Sequence, residues 1–118
     1  MPQPFQTTLM SGVTTNTNGT GVDVRNFTAL SAFASSVGGT SVDLTFQATS
    51  DPAGLVGWTT IASRNSGGGA YATTAASITP AAPRNFYFDP TDNIGWVRAV
   101  TANQVGPTAI TVILNGEQ

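Results

Sequence analysis

The 118-residue chain is predicted to be all-β: an antiparallel β-sandwich of jelly-roll or Greek-key-like arrangement, with an extended N-terminal arm. Three observations lead there. The stretch SVDLTFQATS (41–50) alternates without a slip, so Val42, Leu44, Phe46 and Ala48 share one face and Asp43, Thr45, Gln47 and Thr49 the other. Nineteen threonines favour strands. Thirteen glycines and seven prolines divide the chain into short runs, and no stretch resembles a long amphipathic helix. The length suits one domain around one core.

Residues 1–19 read as the arm. Pro2 and Pro4 stiffen its start, and SGVTTNTNG has little to bury; Phe5, Leu9 and Met10 are left to dock as an edge strand or onto a neighbouring subunit. The sandwich then occupies 20–118. Val22 and Val24 alternate with Asp23, and FTALSAFASSV (27–37) is a strand. Gly38-Gly39 is expected to close a hairpin into the strand at 41–49. WTTIAS (58–63) should pair back onto that strand across DPAGLVG. RNSGGGAYATTAAS (64–77) reads as a long flexible loop, because three consecutive glycines are costly to order. Later strands are expected at 85–88, 94–102 and 108–114, with Ile110, Val112 and Leu114 on one face.

Charged residues make up only 8% of the chain, against about 25% in an average soluble protein. The net charge of −2 comes from five Asp, one Glu and four Arg, with no Lys. Arg25, Arg64, Arg84 and Arg98 are scattered and form no stripe to follow a phosphate backbone, which argues against nucleic-acid binding. No run approaches the ~20 apolar residues that span a bilayer, so no membrane role is expected. The opening MPQPFQTTLM has no basic segment followed by an apolar run and does not read as a secretory signal. The sequons at Asn18 and Asn26 are then chance matches in a Thr-rich chain.

Catalytic chemistry has few parts here. Without His, Cys or Lys there is no nucleophile–imidazole pair, Schiff base or thiolate metal site, and no cofactor is expected. Asp89 and Asp92 flank a turn in FDPTDN, and Asp51 opens another. Aspartate before proline ordinarily caps the backbone two residues on, which is the reading preferred over a glycosidase-like pair or a calcium site with Asn93. SGGGA (66–70) lacks the Lys-Ser/Thr of a phosphate-binding loop. Trp58 and Trp96 each start a strand, where a large ring is expected to close the end of the core. A protein interface, or sugar stacking together with Tyr71 and Tyr87, are the other uses open to them.

The order of these pieces resembles a β-sandwich domain common in virion proteins of tailed bacteriophages. GVDVRNFTAL, SVDLTFQATSD, GWTTIAS, GWVRAV and AITVILNG follow that domain's sequence of motifs over roughly residues 20–116. Here the family's compact SxDGxxW turn is expanded to SDPAGLVGW, and a Gly-rich insertion is added. The resemblance implies structural assembly. The expectation is a capsid decoration or cement protein on the capsid exterior, made in the host cytoplasm and bound to the major capsid protein. A small homo-oligomer is expected, a trimer being one closed arrangement that suits junctions of capsid subunits. The expected capsid contacts are Pro2, Pro4, Phe5, Leu9 and Met10 of the arm, with Arg25 and Arg84 as ion-pair partners. On that reading, removing residues 2–10 abolishes capsid binding and leaves the sandwich folded. The alternative is a tail- or fibre-associated carbohydrate-binding module.

Overall fold

The computed structural model describes residues 5–25, 27, 29–65, 70–88 and 95–117. Among these residues ten strands form: β1 (Phe5–Val13), β2 (Val22–Asp23), β3 (Ala29–Val37), β4 (Ser41–Thr49), β5 (Thr59–Thr60), β6 (Ser63–Asn65), β7 (Ala76–Ile78), β8 (Arg84–Phe88), β9 (Trp96–Val105) and β10 (Ala109–Glu117). One sheet has the order β1-β10-β3-β8-β6 and the other β2-β9-β4-β5, with β7 also on β4. Every pairing is antiparallel. The architecture is thus the all-β sandwich that the alternation in 41–49 predicts.

That alternation supplies one wall of the core. Val42, Leu44, Phe46 and Ala48 are buried, as are Val97 and Ala99 of β9 beside them. Ile110, Val112 and Leu114 of β10 face them from the other sheet, with Ala32, Ala34, Phe86 and Phe88. Phe46 sits edge-on to Phe86 and Phe88, at ring-centroid distances of 5.4 and 4.9 Å. Edge-to-face packing of this kind adds to the free energy of burial.

Successive strands alternate between the two sheets at every connection except β4–β5. The expected Gly38-Gly39 hairpin is therefore a corner: β3 and β4 lie in different sheets. Both glycines adopt left-handed conformations (φ 73° and 61°), and a Cβ on Gly39 would run into Thr108. The β9–β10 corner lies against it, with Thr40 N–H donating to the Val105 carbonyl at 2.9 Å.

Of the two placements open to the N-terminal arm, the edge strand is the one that forms. Residues 5–13 pair along β10, and Leu9 and Met10 are each only 4% exposed. The register steps from Thr8↔Ile113 to Met10↔Val112, so Leu9 is the extra residue of a β-bulge and two consecutive side chains turn inward. The chain then crosses to the other sheet and lies against β9. Gly19 N–H donates to the Ala99 carbonyl (2.7 Å), while Thr17 and Thr101 exchange hydrogen bonds at 2.9 Å. The predicted loop at 64–77 is also partly strand, since β6 pairs with β8 and β7 with the first half of β4. Its residues 66–69 lie outside the described ones.

Candidate functional site

Among the described residues, the members of the predicted contact set do not come together on one surface. Pro2 and Pro4 lie outside the described residues, and Leu9 and Met10 are core. Phe5 stacks on Phe27 at 4.5 Å and packs against the core margin. Arg25 is tied to Asp23 through an ion pair and an Nε–carboxylate bond of 2.9 Å. That hydrogen bond holds the Asp23 carboxyl below its ordinary pKa and raises Arg25. Arg84 is half-buried opposite Ala34, and the strand register sets it toward the other end of the sandwich from Phe5 and Arg25. Asp89, Asp92 and Asn93 fall outside the described residues, and among the described ones no three metal-ligating side chains converge.

What the structure does assemble lies around Trp58 and Trp96. Val97 and Ala99 take the inward positions of β9, so Trp96, Arg98 and Val100 face outward. Neither tryptophan closes the core, contrary to expectation. Arg98 Cζ lies 4.5 Å from the Trp58 ring centroid, and Arg98 donates through Nε and Nη2 to Gln47 Oε1 (2.9 and 2.7 Å). Gly21 runs so close to Trp58 that a Cβ there would lie 2.8 Å from Cη2. On the same face Asn103 donates to Asp43 (2.9 Å). The polar face of β4 is thus bound into cross-strand pairs.

Residues 51–57 sit on this cluster. Asp51 Oδ1 accepts the N–H of Ala53 (3.2 Å), and Oδ2 accepts those of Leu55 (2.9 Å) and Val56 (3.1 Å). The first of these is the expected aspartate cap two residues on; the other two reach beyond it. Together they hold the Asp51 carboxyl below its ordinary pKa, the Leu55 bond contributing most. Thr49, predicted on the wet face, is buried beneath the loop. Its hydroxyl donates to the Val56 carbonyl (2.6 Å) and accepts from Asp51 N–H (3.1 Å). Gly54, at φ 67°, lies flat on the Trp96 indole where any Cβ would collide. The loop is therefore ordered from below, and Leu55 and Val56 project from it at 75% and 67% exposure.

A second aromatic group lies on the other sheet, where Arg64 stands 5.3 Å from the Tyr87 ring and 5.5 Å from that of Tyr71.

The fold is shared with a solved structure described as the crystal structure of SPBc2 prophage-derived protein YomS. The likeness has a TM-score of 0.71 at 18% identity and covers 98% of this chain and 96% of that one. No family model matches the chain, and no curated protein matches it.

Proposed function

We propose that this chain is a non-enzymatic structural protein of a tailed-phage virion, a decoration or cement protein that binds the outer surface of the assembled head. The observation that carries this reading is the end-to-end fold likeness to a prophage-derived protein. The motif order from GVDV to AITVILNG supports it, as does a surface with few charges to desolvate on close contact. The partner is the major capsid protein. A protein that binds only the assembled shell stabilises it by mass action, by about 2.7 kcal/mol per site when its free concentration is 100 times Kd. With β1 built into the sandwich, the reading assigns attachment to the folded surface. A small closed oligomer, such as a trimer at a subunit junction, would span neighbouring capsid subunits.

The test is to add purified protein to heads that lack it. Saturable co-sedimentation and a higher head-rupture temperature are expected, with no binding to unassembled capsid subunits. Absence of binding would count against the proposal.

One observation favours a second reading, a tail- or fibre-associated carbohydrate-binding module. Trp58 lies on the outer face, where an indole can stack on a sugar ring, although Arg98 already covers one side of it. A glycan array comparing the wild type with Trp58→Ala separates the two; glycan binding lost in the variant, without loss of fold, supports the module.

A further inference from the structure

We infer that Leu55 and Val56, displayed by the 51–57 loop, form the knob through which this protein seats in an uncharged apolar depression on a capsid subunit. The inference rests on the proposed head-binding role and names the contact for it.

Scattered exposed aliphatic residues are ordinary on a protein surface. Here two neighbours in sequence are exposed together on a loop whose conformation is fixed from below. Asp51 takes three of its backbone N–H groups, Thr49 takes the Val56 carbonyl, and Gly54 rests on Trp96. A contact already held in shape loses little conformational entropy on binding, which is the property wanted of an anchor.

The charge pattern identifies the kind of partner. Both Asp51 oxygens are engaged by backbone within the loop, and the charge they carry is negative, which an anionic surface would repel. The arginines at this end are committed, Arg25 to Asp23 and Arg98 to Gln47 and Trp58. No lysine exists in the chain to meet an anionic headgroup. An apolar protein pocket fits this better than a lipid surface. A second copy is a poorer fit, because the depression beside the loop is lined largely by hydroxyls, among them Thr49, Ser50, Thr59, Thr60 and Thr73.

The experiment compares the wild type, the Leu55→Asp/Val56→Asp double variant and Asp51→Asn for binding to purified heads lacking the protein. A Val37→Asp/Val105→Asp variant, altered at the corners of the opposite end, is the control. Folding is checked by circular dichroism and thermal melting. The double variant should lose at least tenfold in affinity and the control should bind as wild type. Asp51→Asn, which keeps both aliphatic side chains but loosens their support, should lose severalfold. If heads bind the wild type and both loop variants equally, the inference is overturned while the head-binding role stands. If heads do not bind the wild type at all, both fall. A wild-type dimer in sedimentation equilibrium that the double variant abolishes would assign the knob to a second copy. Flotation with anionic phosphatidylglycerol vesicles, lost in the double variant, would assign it to lipid. Either result overturns the inference.

Discussion

Arg98 lies over the Trp58 ring at 4.5 Å while both its Nε and Nη2 donate to Gln47. One side chain thereby couples β4, β9 and the segment that opens β5, on the face away from the core. A cation–π contact at a partly exposed site contributes about 0.5–1 kcal/mol. A double-mutant cycle between Arg98→Ala and Trp58→Ala, read by urea unfolding, should return a coupling of about that size. Additive single effects would mean that the pair does not act together.

Asp51 gives the loop a pH dependence with a defined sign. Its folded-state pKa lies below the ordinary 3.8. The ionised form is thus favoured in the fold, and the contribution is present above the unfolded value and lost as pH falls through the folded one. The Leu55 and Val56 amide proton shifts should hold steady from neutral pH down into the ordinary aspartate range and titrate with the Asp51 carboxyl only below it. In Asp51→Asn the same resonances should show no such titration, and NMR from neutral pH down to the acid side of that titration checks both.

Gly54 is the position where the loop tolerates no side chain. Alanine there meets the cost of a left-handed backbone, about 1–2 kcal/mol, and its Cβ strikes Trp96. Gly54→Ala should lower stability by at least about 1 kcal/mol and shift the tryptophan emission as the indole loses its cover. Unfolding curves and fluorescence spectra report the two effects separately.

Strand β1 is part of the fold and not an appendage. Deleting residues 2–10 removes two buried side chains and bares the edge of β10. The shortened chain should fail to fold or should aggregate through that edge. The milder Leu9→Ala should cost about 2–5 kcal/mol. A truncated protein melting at the wild-type temperature would contradict the placement of β1.

The strands that the sequence announced are those with one dry face. β10 keeps the alternation, as does β4 up to Ala48, and the apolar residues that periodicity picks out are buried; Thr49 at the end of β4 departs from it. For β1 the edge strand was one of two placements left open, because the bulge at Leu9 breaks the period and leaves two adjacent apolar residues that alternation cannot assign. β7 is only three residues long, too short for alternation to register, and is held by pairing with β4. The two glycines at 38–39 serve a corner as readily as a hairpin, and only the second sheet decides between them. Trp96 and Val97 are both large and apolar, so alternation alone could not say which faced inward. Of the candidate site, the aspartate cap at Asp51 was legible, within a turn whose expansion is visible in the sequence. The reach of Asp51 to Leu55 and Val56 was not, because it depends on how Gly54 seats on a tryptophan far along the chain.

The most direct test of the proposed role is electron cryo-microscopy of virions that carry this protein. Density matching the ten-strand sandwich on the outer surface of the head, with its loop end against the capsid shell, is the expected result. The same density in the tail or fibres, with the head surface bare, would contradict it.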